Sequence, residues 1–371
     1  LPVIPFLPFW RLIQEPVAVR IQGAVFFLVA LGLIGRITGA RLGAVLLGSL
    51  LYPIFLFLFL DDTGPNGLTI LLDLLALLSV RGAVRAKSPG ARLGRAGLAG
   101  GFCFLGIFAK PVFALYLPAL VVFGAFERRA AARRDLLLRE LAVFGAAVVL
   151  PTALLLFSLD RRGQPYLAVL QKGGLSFAAH SVSDVAHLMT GYLAWGSRIV
   201  PRTLTLPESP IDWLPGLASV WLLGTAIRSQ ERRTPAACFL AMASVTFLLT
   251  LGVGAASEPH HLAFTLTPVV LALTAALGSG DLLVRTLPAV ACVIFWGSLA
   301  ARWPKAEVSL DTGKDKDRLV AFLRTSGLER RTVQVHASWG TYYIAHLFGD
   351  PEQAVVSLDA FGAPAGALQG V

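Results

Sequence analysis

Charge and sulfur are both scarce in this chain. Asp, Glu, Lys and Arg make up 15 % of its 371 residues, against a hydrophobic fraction of 56 %. Soluble domains carry about 25 % charged residues, and a mean hydropathy of +0.70 leaves too little polar surface to face water all round. The three cysteines, Cys103, Cys238 and Cys292, each sit in an apolar stretch. That excludes a disulfide framework and any cysteine-based metal-ligand spacing. No glycine-rich phosphate cradle is present, which argues against nucleotide-driven chemistry. The only methionines are Met189 and Met242, and the start shows no basic region followed by a short apolar core. No signal peptide is read there, and the expectation is a chain cut from something longer.

What the chain has in quantity is long uncharged apolar runs. Leu42–Leu60 is nineteen residues without a charge, which as a helix reaches roughly 28 Å, close to the hydrocarbon core of a bilayer. Leu141–Leu159, Thr234–Ser257 and Pro259–Gly280 repeat the pattern. The expected fold is an all-α polytopic membrane protein. The net charge of +10 would suggest nucleic acid in a soluble domain. Here the basic residues fall in short loops between apolar runs, where Lys and Arg mark the cytoplasmic side, so no nucleic-acid partner is expected.

Those loops set a topology. Arg36–Arg41 is basic, Arg81–Arg95 and Glu127–Glu140 hold five basic residues each, and Arg228–Arg233 holds three. Placing them inside predicts about ten spans, near 21–35, 42–60, 68–80, 96–109, 111–126, 141–158, 213–227, 236–253, 262–277 and 286–301. Ala96–Phe126 is thirty-one residues interrupted only by Lys110. One helix of that length would reach roughly 46 Å, so the run is read as a hairpin turning at Lys110-Pro111 on the outer surface. Residues 1–20, the 159–212 loop and the tail 302–371 then lie outside. The proline-rich start reads as interfacial. The tail reads as a small α/β unit, with a helix at Leu319–Leu328 and strands at Thr332–Ala337 and Val355–Leu358.

Four segments, in this order, resemble the GT-C membrane glycosyltransferases. They are Gly43–Leu78 with its Tyr52-Pro53; the hairpin GLAGGFCFLGIFAKPVFALYLPALVVFGAF at Gly97–Phe126; Glu258-Pro-His-His at the head of a proline-containing span; and the outer tail with Trp339-Gly-Thr-Tyr-Tyr343. The resemblance implies a bacterial inner-membrane enzyme with its active face outside. It would move a sugar from a polyprenyl-phosphate donor to a lipid, glycan or protein acceptor. It implies no certain cofactor, since some relatives use a divalent metal ion and others none. It also places the principal catalytic carboxylate in an outer loop expected upstream of residue 1.

Such chemistry needs a carboxylate to activate the acceptor, cations to hold the lipid phosphate and an apolar groove for the isoprenoid. Asp61, Asp62 and Glu258 are the candidate acids, with a turn or cap as the plainer role of the aspartates. Lys110, Arg161, Arg162, His260 and His261 are the candidate phosphate contacts. The plainer reading has the lysine snorkelling to the headgroups, the arginines solvated and the histidines capping a helix. Tyr192, Trp195, Trp339 and Tyr342 are candidate sugar or acceptor platforms, although interfacial aromatics commonly serve as anchors. Adjacent histidines on a helix diverge, so no metal site is read. Asp73 lies inside a span, where a carboxyl is costly and therefore a functional candidate. The rival class is a transporter or flippase, which places broken helices and charges near the midplane and often repeats itself. No repeat is visible here, and the polar residues gather on one side. A non-catalytic scaffold of the same fold is the other alternative.

Overall fold

In the computed structural model, the described residues are 16–60, 66–131, 137–161, 206–207, 209–252, 263–278, 282–303, 334–336 and 355–357. They form eleven α-helices, two 3-10 helices and two short strands. The helices are α1 (Pro16–Thr38), α2 (Leu42–Leu50), α3 (Pro53–Leu60), α4 (Asn66–Arg85), α5 (Pro89–Ala109), α6 (Leu117–Ala130), α7 (Leu137–Arg161), α8 (Leu214–Arg228), α9 (Gln230–Gly252), α10 (Ala263–Gly278) and α11 (Leu282–Arg302). The 3-10 helices are η1 (Pro111–Tyr116) and η2 (Pro210–Trp213). Strands β1 (Gln334–His336) and β2 (Val355–Ser357) pair in parallel, with Val335 opposite Val356. The remainder of the tail, and the helix expected at Leu319–Leu328, lie outside the described residues.

The described residues of the ten apolar segments are helical, 111–116 as a 3-10 turn, with one correction. The run 42–60 is not one straight rod: α2 and α3 meet at 93°. The cause is local. Pro53 opens α3, and a residue before proline is steered away from helical backbone, so the helix stops at Leu50 and restarts beyond Tyr52. Four helices are long and apolar enough to cross a membrane, or five if the bent pair counts as one span. Prolines inside α7, α9, α10 and α11 are tolerated by membrane helices, whose neighbours and hydroxyls satisfy the freed backbone groups.

Burial is distributed as a bilayer would require. Helices α4 and α10 form the centre. α4 packs against α1, α5, α6 and α10, and α10 also meets α2, α8 and α9. Asp73, Asn66, Gln22, Ser49, Thr267 and Thr274 are all buried. Helix α7, in contrast, exposes Val149, Leu150, Phe157 and Leu154, the last at 69 %. Monomers in water seldom show contiguous apolar faces of that kind, whereas lipid covers them at no cost. α7 is held by close approach to α5. A Cβ at Gly100 would stand 2.5 Å from the Phe144 carbonyl oxygen and 2.7 Å from Ala147 Cβ, the small-residue contact by which membrane helices pack.

The charged groups collect at one end. Arg81 donates from Nε (2.9 Å) and Nη2 (2.6 Å) to Glu127 Oε1, and also donates to the Ile37 carbonyl. It thereby ties the C-termini of α1, α4 and α6, where a cation also suits the helix dipoles. Arg95 Nη1 donates to the Gly82 carbonyl at 2.8 Å, and Arg128 pairs with Glu140. Arg285 Nε donates to the Leu277 carbonyl at 3.2 Å. At the opposite end, Arg302 of α11 pairs with Asp212, whose carboxylate also caps η2 through the Ser209 N–H at 3.0 Å.

Candidate functional site

The helix reversal at Lys110 builds one end of the site. Lys110 precedes Pro111 and takes extended backbone (φ −152°, ψ 106°), which ends α5 after Ala109. Its N–H donates to the Gly106 carbonyl at 2.8 Å, and its carbonyl accepts from Phe113 N–H at 2.9 Å. The chain then folds back as η1, with the Phe113 ring so close to Gly106 that a Cβ there would stand 2.7 Å from it. The reversal is read from contacts along α4. Arg95, near the start of α5, bonds Gly82 at one end of α4, and Lys110 Nζ donates to Asn66 Oδ1 at 2.9 Å at the other. Glu127, near the end of α6, returns to Arg81. The hairpin expected from length is therefore present, but its arms separate, with α5 against α4 and α7, and α6 against α4 and α9. Lys110 is half-buried on Asn66 rather than standing clear at the surface.

Below this lysine lies a buried polar cluster. Asp73 is seven residues further along α4 than Asn66, about 10 Å deeper at 1.5 Å per residue. It is completely buried. The Tyr116 and Thr267 hydroxyls interact with its carboxyl, yet neither carboxyl oxygen reaches hydrogen-bonding geometry with any partner, and neither does the Tyr116 hydroxyl. Ser49 and Thr274 hydroxyls are likewise buried without a partner. This sets them apart from Ser219, Thr246 and Thr250, which donate to carbonyls of their own helices at 2.7–2.9 Å, the usual way a membrane helix disposes of a hydroxyl. A buried carboxyl whose donors stand outside good hydrogen-bonding geometry is costly, which makes Asp73 a functional candidate.

Of the candidate residues drawn from sequence, Lys110 and Asp73 are described in full, and Arg161 is the last residue of α7. Asp61, Asp62, Arg162, Tyr192, Trp195, Glu258, His260, His261, Trp339 and Tyr342 lie outside the described residues. Among the described residues, no three His, Cys, Asp or Glu side chains group closely enough to hold a metal ion. Sequence reasoning did not reach Asn66, Tyr116 and Thr267. Asn66, the first residue of α4, ends a polar stretch of the sequence and carried no separate signal. Tyr116 and Thr267 sit in apolar runs, and only the fold brings them to Asp73. No protein-family profile, curated protein or solved structure matches this chain.

Proposed function

We propose that this chain is an integral membrane glycosyltransferase of GT-C type, taking sugar from a polyprenyl-phosphate donor to an acceptor at the outer face. Lys110 is the observation that carries the reading: a single cation at a helix break, tethered to Asn66, at the end of the bundle opposite the arginine-rich contacts. An ammonium presents three donors, and one held at the membrane boundary suits a lipid phosphate whose charge grows as the sugar leaves. The ten helical segments would alternate in direction, with the basic end in the cytoplasm of a bacterial inner membrane. Asp61, Asp62 and Glu258 would supply the acids, Arg161, Arg162, His260 and His261 further phosphate contacts, and Tyr192, Trp195, Trp339 and Tyr342 the sugar or acceptor platforms. A divalent ion would serve the donor phosphate in the same place.

The test is transfer of labelled sugar from polyprenyl-phosphate donors in proteoliposomes. Lys110→Ala should lower transfer by roughly tenfold to a hundredfold, the loss of one charge-assisted contact worth about 1.5–3 kcal/mol, with Lys110→Arg recovering part of it. Undiminished transfer by Lys110→Ala would remove the lysine from the mechanism. No transfer from any donor by the intact protein would remove the reaction.

A second reading has its own support. The 93° break between α2 and α3 and the completely buried Asp73 are features that transporters place near the bilayer midplane. Uptake or efflux of substrate by proteoliposomes that show no sugar transfer would favour this reading over the enzyme.

A further inference from the structure

At the basic end, away from Lys110, a cavity of about 640 Å³ opens between α2, α10 and α11. Arg41 and Arg285 line it, together with the small Gly43 and Ala44 and the apolar Val293 and Ile294. Arg285 is fixed against the end of α10, donating from Nε to Leu277 (3.2 Å) and from Nη2 to Gly278 (3.3 Å). Arg41 stands exposed just before α2. Among the described residues no carboxylate lines this space, whereas Arg81, Arg128 and Arg302 are each matched by one. The wall turns outward to an apolar surface on which Val293 is 73 % exposed. From Arg285 to Ile294 is nine residues, about 14 Å along α11, or roughly half of a 30 Å hydrocarbon core. The space is thus one leaflet tall, cationic at the mouth and apolar along its height.

We propose that this cavity holds an anionic phospholipid of the leaflet at the basic end, its phosphate between Arg41 and Arg285 and an acyl chain along Val293 and Ile294. The charge pattern chooses this occupant over a zwitterionic lipid, because the two arginines at the mouth, with no carboxylate among the described lining residues, complement a net negative headgroup. The inference rests on the membrane reading alone and is independent of sugar transfer.

The full chain, purified in mild detergent and exposed to phosphatidylglycerol or phosphatidylcholine, is weighed by native mass spectrometry. One tightly retained phosphatidylglycerol per chain is expected, with phosphatidylcholine retained far less. Arg41→Ala and Arg285→Ala should each weaken retention about fivefold, the worth of one basic residue near an anionic surface. Gly43→Trp keeps both arginines and fills the space. A Cβ at Gly43 meets nothing within 4 Å, so this variant should fold and still lose the lipid. Arg228→Ala, at the same end but outside the cavity, should retain it. Equal retention of the two lipids, equal loss in Arg228→Ala, or undiminished retention by a monodisperse Gly43→Trp would each overturn the proposal. So would displacement of the lipid by inorganic phosphate alone.

Discussion

Asp73 is the residue whose position is hardest to explain by stability. Its carboxyl is buried in the bundle with no donor in hydrogen-bonding geometry. Replacing a buried unsatisfied polar group by an apolar one of similar size removes a penalty of about 1–3 kcal/mol. Asp73→Leu should therefore raise the thermal midpoint of the detergent-solubilised protein by a few degrees while reducing whatever activity the protein supports. That trade is expected where a site is kept for function. A lowered midpoint would instead mean that the carboxyl is satisfied in the folded protein and serves structure. Lys110 makes the complementary case. Its role in holding Asn66 predicts only a modest stability change in Lys110→Ala, so a loss of transfer well beyond any loss of folded protein separates a phosphate contact from a strut.

At the scale of elements, the positions of the helices were legible because apolar run length against bilayer thickness is a strong constraint. The turn at Lys110 followed from the same arithmetic. The bend at Tyr52-Pro53 was written in the residues, but an uncharged run of that length outweighed a single proline. The gathering of Asp73, Tyr116 and Thr267 was not legible, since three residues on α4, η1 and α10 share no spacing and meet only through packing. The α5–α7 contact offers a direct test of how these elements hold together. Gly100→Leu would drive a side chain into the Phe144 carbonyl, 2.5 Å from where its Cβ would sit. Overpacking of this kind costs about 1–3 kcal/mol. Because α7 otherwise exposes its apolar face, its displacement should appear as a lower thermal midpoint and faster proteolysis near residue 137. Gly101→Leu, on the next face, where a Cβ meets nothing within 4 Å, should leave both unchanged.

For the whole molecule, the account depends on two chemically different ends. One is a belt in which Arg81, Arg95, Arg128 and Arg285 bind helix termini and carboxylates. The other carries Lys110 on Asn66 and Arg302 on Asp212. Between them the bundle buries hydroxyls and a carboxyl and turns leucine, valine and phenylalanine outward. Such a body is stable only with lipid around its middle, and the basic belt should remain on the cytoplasmic side. Single-cysteine labelling with a membrane-impermeant maleimide tests this most directly, since Cys103, Cys238 and Cys292 are all buried and should give little background. The exposed Ala131 at the basic end and the exposed Pro207 beside Arg302 are the positions to substitute. Pro207→Cys should label on intact cells and Ala131→Cys only after the membrane is opened. Labelling of both from the same side would contradict a bundle that crosses the bilayer between these ends.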